Sequence, residues 1–153
     1  MLQQWPRPNS EPTQSMDIMS ESAAALNPRR IVPVDETDYQ AVHNLRRARE
    51  EQVLAVLDDL LAWTQVGNSA ITRGVGEVLA QHFPAIRPAV LRVLRGADAG
   101  WQYFFLGLVV GPVLRAHTDQ EIVRELRRLA QQPAASGPAA ERARALLDEL
   151  GLG

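Results

Sequence analysis

His43, His82 and His117 are the residues best suited to hold a metal or move a proton near neutral pH. They stand about 35 to 40 residues apart, no two of them at helix spacing, and H-E-x-x-H is absent. Nucleophilic catalysis finds no better footing. There is no G-x-S-x-G, and Ser69 stands where a helix N-cap belongs. Gly74-x-Gly76 lies within a helical pattern with no strand before it. The chain has no lysine, which removes the Walker loop and the Schiff-base amine. It has no cysteine either, so thiolate zinc sites, disulfides and cysteine nucleophiles are excluded. The expectation is a protein that is not an enzyme and carries no metal or cofactor.

What remains is the chemistry of contact. Trp63 closes the run Leu60-Leu61-Ala62-Trp63-Thr64-Gln65-Val66-Gly67-Asn68, and Trp101-Gln102-Tyr103 opens a later apolar stretch. Indole and phenol rings bring large apolar area with a polar tip, and Trp, Tyr and Arg are the usual anchors of protein interfaces. Acids gather at Asp35, Glu36 and Asp38 and again at Asp58 and Asp59. Trp63, Gln65, Asn68, Trp101 and Tyr103, with these five acids, are the candidate partner-binding residues. The alternative is architectural: Gln65 and Asn68 tie an inter-helix turn, and the tryptophans fill the ends of the core.

Nucleic acid and membrane are both disfavoured. All 16 basic residues are arginine, 18 acids oppose them, and the net charge is −2. From residue 31 onward, 13 arginines face 15 acids. Arg46, Arg47 and Arg49 are followed by Glu50 and Glu51. Glu121 precedes Arg124 and Glu125 precedes Arg128 at the spacing of helix-surface ion pairs. Such a surface pairs with itself and lacks the unopposed positive charge that holds phosphates. A solenoid glycosylase would need an acid and aromatics facing a basic groove; Asp98 near Trp101 offers only a fragment of that. The longest apolar stretch, Trp101 to Leu114, is about 14 residues and too short to span a bilayer. The first residues lack the basic and apolar regions of a secretory signal. A cytoplasmic protein is expected.

The elements that would position these residues are helical. At 153 residues with 46% hydrophobic content, the chain suits one domain with one core. Residues 1–30 hold four of the ten prolines and no glycine, and read as a flexible arm with internal starts available at Met16 and Met19. From residue 31 to residue 153 the pattern gives about seven helices. The first covers about 38–47, capped by Asp35 or Thr37, and the second about 50–65. The third ends near His82, capped by Asn68 or Ser69, and Phe83-Pro84 is expected to terminate it. Gly74 and Gly76 each cost about 1 kcal/mol there relative to Ala, which implies a neighbouring helix packed very close. The fourth covers about 86–95 with Pro88 in its first turn, and Gly96 stops it. The fifth, about 99–116, is apolar nearly all round and so central, with a kink at Gly111-Pro112. The sixth, about 120–132, is capped by Thr118 or Asp119. The seventh, about 139–150, ends at Gly151. No run has the alternation of a strand.

Three of these helices share a pattern. Val53-Leu54-Ala55-Val56-Leu57 aligns with Val90-Leu91-Arg92-Val93-Leu94 and with Ile122-Val123-Arg124-Glu125-Leu126, at offsets of 37 and 32 residues. Each is followed by a second helix. A helix pair recurring at this period points to an all-α fold, a HEAT-like α-solenoid.

With these residues in view, the chain from about Ile31 to Leu150 resembles a bacterial family catalogued as domain of unknown function 5071. The family pattern opens with Pro-x-Asp, carries Leu-Leu-x-Trp-x-Gln-Asp-x-Asn-Trp-Pro at the end of its second helix, and has a later Trp-Lys-Tyr. The matches are Pro33-Val34-Asp35, Leu60-Leu61-Ala62-Trp63-Thr64-Gln65 with Asn68, and Trp101-Gln102-Tyr103. Val66 stands in place of Asp, Ser69-Ala70 in place of Trp-Pro, and Gln102 in place of the basic residue, which marks a divergent member. The resemblance implies a small HEAT-like solenoid, similar in kind to the immunity proteins found beside secreted bacterial toxins. Such a protein occludes a cognate toxin or effector domain and needs no catalytic residues. A nucleic-acid-binding or glycosylase-type solenoid and a general interaction adaptor are the alternatives. The oligomeric state is open.

Overall fold

A computed structural model describes residues 30–153 apart from 66, 68 and 134–136. The arm expected over residues 1–30 and the candidate contact Asn68 therefore lie, Arg30 excepted, outside the described residues. Those described residues are helical and contain no strand.

The first helix, α1, runs Tyr39–Arg46. Its N-cap is Asp38, not the expected Asp35 or Thr37: the Asp38 carboxylate accepts from the Ala41 amide at 3.2 Å and from the Val34 amide at 3.1 Å. Asp35 instead folds the turn before it, accepting from the amide and hydroxyl of Thr37. The expected second helix is divided at Val56 into α2 (Glu50–Ala55) and α3 (Leu57–Trp63). No proline or glycine stands at the break. It sets Asp58 and Asp59 in the first turn of α3, where the helix dipole favours carboxylates.

Helix α4 runs Ala70–Gln81 with the Ser69 hydroxyl accepting from the Thr72 amide. Helix α5 runs Phe83–Arg95 and departs from expectation at its start. His82 is both the C-cap of α4 and the N-cap of α5, so Phe83-Pro84 opens the new helix instead of merely closing the old one. Pro84 falls in the first turn, where its missing N–H is harmless, and Pro88 lies inside the helix with both rings on its exposed side. Gly96 ends α5 as expected.

The central helix is continuous but not uniform. It begins as α6 (Ala99–Phe105), passes through a π turn over Leu106–Val110, and ends as α7 (Gly111–Ala116). Pro112 accounts for the widening. It has no N–H for the Leu108 carbonyl, and its ring would crowd that carbonyl in a regular α-turn, so the backbone relaxes immediately upstream of the expected Gly111-Pro112 kink. Helix α8 (Gln120–Ala130) is capped by Asp119, and α9 (Pro138–Glu149) closes with Gly151 at φ +72°.

Packing follows a two-layer order. In one layer α2 packs on α5 and α5 on α8. In the other, α1 packs on α4, α4 on the π turn and α7, and the π turn and α6 on α9. The aligned runs lie on α2–α3, α5 and α8, with Val53, Val90, Leu94, Ile122 and Leu126 fully buried. Phe105, Leu106, Val109 and Val110 of the central helix are also fully buried, so its nearly uniform apolarity reflects cover on several sides.

The glycines of α4 mark close approach, as their cost implied. A Cβ on Gly74 would stand 2.7 Å from Val42 of α1. One on Gly76 would stand 2.9 Å from the Leu108 carbonyl oxygen, the same carbonyl that Pro112 leaves without its helical donor.

Arginine–carboxylate pairs run across neighbouring helices more than along them. Glu121 pairs with Arg87 at 2.6 Å and Arg95 at 2.5 Å, both on α5, and not with Arg124 one turn away as expected. It lies at the start of α8, where the α5 guanidinium groups reach across. The expected Glu125–Arg128 pair forms at 2.8 Å, and Arg95 joins it at 2.9 Å. Glu125 occupies the place that Val56 and Val93 hold in the other runs. Burial opposes its ionisation, but the Arg128 and Arg95 guanidinium groups outweigh that and hold its carboxyl below the usual range. Arg46–Glu77, Arg92–Asp58 and Arg115–Glu149 also link different helices.

Candidate functional site

Trp63 and Trp101 lie in the packing, each half-buried with its indole N–H engaged inside the chain. Trp63 closes α3 and donates to the Pro33 carbonyl at 3.1 Å, which holds the segment before α1. Trp101, in the first turn of α6, donates to the Thr64 hydroxyl at 2.7 Å, and that hydroxyl donates to the Leu61 carbonyl at 2.5 Å. Thr64 and Gln102 are buried. The Gln102 amide donates to the carbonyls of Val93, Leu94 and Gly96 at 3.1, 3.2 and 2.8 Å, which closes the C-terminus of α5.

The other expected contacts are dispersed. Asp35, Glu36, Asp58, Asp59 and Gln65 are exposed, and Asp38 is committed to its cap. The Thr37 hydroxyl and amide hold the Asp35 carboxyl below its ordinary value. Asp58 reaches Arg92 only at 3.4 Å, in full solvent. Val34 and Tyr39 are exposed apolar residues beside the first acidic group. The histidines do not converge. His43 is exposed on α1, His82 lies 3.3 Å from Glu50, and His117 stacks on Phe83. Among the described residues, no group of three histidines or carboxylates is placed to hold a metal ion.

Tyr103 opens onto a concave surface. A groove of about 320 Å³ runs beside the π turn, walled by α4, the central helix and α9. Tyr103, Phe104, Leu108 and Pro112 form its apolar part, and Arg73, Glu77 and Arg142 its polar part. The Arg142 guanidinium lies over the Tyr103 ring, 4.3 Å from the centroid. Phe104 meets Tyr103 edge to face at 5.2 Å between centroids. Gly107 leaves the room for this: a Cβ there would stand 2.6 Å from a terminal nitrogen of Arg142. The groove can seat a chain bearing apolar and anionic groups. Arg142 and Phe104 were missed from sequence. The run Tyr103-Phe104 followed by Gly107 was the available signal, but the pairing with α9 is a tertiary contact.

The sequence from residue 31 to residue 147 matches the family described as Domain of unknown function (DUF5071). The chain belongs to this family. No curated protein matches it. The residues through which it resembles the DUF5071 pattern are joined end to end. Pro33 accepts from Trp63, Thr64 next to it accepts from Trp101, and Gln102 next to that caps α5. The motif therefore supplies the knot between the first helices and the central one. Where the DUF5071 pattern has a basic residue, Gln102 does what an ammonium would also do, donating several hydrogen bonds at the negative end of a helix. No helix among the described residues is long and apolar enough to cross a membrane.

Proposed function

We propose that this DUF5071 chain is a HEAT-like α-solenoid acting as an immunity protein in the bacterial cytoplasm, where it binds a cognate toxin or effector domain and occludes it by protein–protein contact. The two-layer order of helices favours the solenoid: α2, α5 and α8 pack in succession, as do α1, α4, the central helix and α9, in the manner of stacked helix pairs. The observation that carries the binding role is the open groove at the π turn. Its half-buried aromatics and stacked arginine are the residue types that anchor interfaces. The exposed acids Asp35 and Glu36, and separately Asp58 and Asp59, add negative charge suited to steering a basic partner. The ion pairs within the fold weigh against nucleic acid. Arg87, Arg95 and Arg128 are held by carboxylates of the fold and are poorly placed to neutralise phosphates.

Co-expression with a toxin encoded beside the gene tests this reading. Rescue of growth together with co-purification of the complex is the expected result. Neither rescue nor complex would overturn it.

A further inference from the structure

Arg142 differs from the arginines that stitch the helices together. Its guanidinium meets an aromatic face, and among the described residues it forms no ion pair with a carboxylate. Stacking fixes the plane of the fork while leaving its N–H edges open, the arrangement that suits bidentate capture of a carboxylate. The space it occupies exists because position 107 is glycine. That glycine lies within the π turn, so the arginine's seat and the distortion of the central helix are parts of one feature. Among the described residues, the one carboxylate lining the groove is Glu77, and it already meets Arg46 at 3.4 Å. Beside the fork, half-buried Phe104, Leu108 and Pro112 offer apolar surface to whatever the fork holds.

We propose that this groove docks an acidic segment of a partner polypeptide, with a carboxylate on Arg142 and a neighbouring apolar side chain against Phe104 and Leu108. The choice of occupant follows from charge complementarity at Arg142 and from the adjoining apolar wall, which a free inorganic anion would leave uncovered. The proposal rests on reading the chain as a binding module. It names a face and a partner chemistry distinct from the acidic surface around Asp35 and Glu36.

The test is fluorescence polarisation of the full chain at low salt with three labelled short peptides. One alternates leucine with glutamate, one leucine with glutamine, and one leucine with lysine. The glutamate peptide is expected to bind about tenfold or more tightly than either of the others. Arg142→Gln should remove that preference. Gly107→Ala provides a second variant that keeps the charge. Its methyl group displaces only the far end of a flexible side chain, so the fold should survive while the fork leaves its seat and glutamate-peptide binding weakens severalfold. Arg124→Gln, at an exposed position on α8, should change nothing. Equal binding of all three peptides, or none, would overturn the proposal, as would full binding by Arg142→Gln. Competition by free sodium glutamate as effective as by the peptide would assign the site to small carboxylates and overturn the docking role. No toxin enters this measurement. A failed growth rescue would therefore sink the immunity reading alone, and a failed peptide preference would sink the acidic-segment proposal alone.

Discussion

Replacing Gly76 with alanine places a methyl carbon 2.9 Å from the Leu108 carbonyl oxygen and 3.0 Å from the Leu108 Cβ. Neither atom can turn aside, because one is backbone and the other is fixed to it. To restore ordinary contact, α4 and the central helix must separate by about half an ångström across a well-packed seam. Overpacking of this kind costs about 1–3 kcal/mol, against about 1 kcal/mol that alanine returns in helix propensity. A net loss of up to about 2 kcal/mol lowers Tm by up to about 4–8 °C for a domain of this size. Gly100→Ala is the matched control. Its methyl carbon would meet only Asp98 Oδ1, at 3.6 Å, in the exposed first turn of α6. Both substitutions restrict the unfolded chain equally, so that contribution cancels between them. Gly100→Ala should stabilise by up to about 1 kcal/mol. Urea and thermal melts followed by far-UV circular dichroism read both signs. A Gly76→Ala protein as stable as Gly100→Ala would refute the close approach of α4 to the π turn.

Two further outcomes follow from the hydrogen bonds and the charges. Gln102→Leu strips the amide from three carbonyls at the end of α5 and should cost about 1–3 kcal/mol in urea melts, whereas Gln102→Lys, with three donors, should stay within about 1 kcal/mol of the parent. If leucine is tolerated as well as lysine, the capping role is wrong. Acid should weaken the α5–α8 seam. The Arg87 guanidinium holds the Asp119 carboxyl below its ordinary value, and Arg95 and then Arg87 do the same for Glu121. A depressed carboxyl contributes stability that is complete above its unfolded value and is lost as pH falls through its folded value, here from about pH 5 to below about pH 4. Urea midpoints should fall over that window in the parent and fall less in the Asp119→Asn, Glu121→Gln double variant. Identical slopes would refute the linkage.

Much of the helical order is legible from local signals. Ser69, Asp119, Gly96 and Gly151 act at the ends their types predict, and periodicity alone picks out the buried faces of α4, α5 and α8. The errors are local as well. Phe83-Pro84 reads equally as a stop or a start, because proline is excluded from a helix interior but welcome in a first turn, and only the shared cap at His82 decides. Asp35, Thr37 and Asp38 are all plausible caps, and the one whose carboxylate reaches both Ala41 and Val34 takes the role.

By itself the sequence determined the all-helical class, the central position of the helix at about 99–116 and the need for close packing at Gly74 and Gly76. Each follows from properties that a residue carries wherever it is placed: side-chain period, backbone propensity and volume. Tertiary structure decided what long side chains do. Arg95 could have paired along its own helix, yet it reaches Glu121 and Glu125 across the seam. Arg142 could have been one more solvated charge, yet it lies on Tyr103 from a helix nearly forty residues on. A flexible side chain can satisfy its charge in many places, and only the distance between packed helices selects among them. The groove exists for the same reason: its walls are made of residues that neither spacing nor type could bring together.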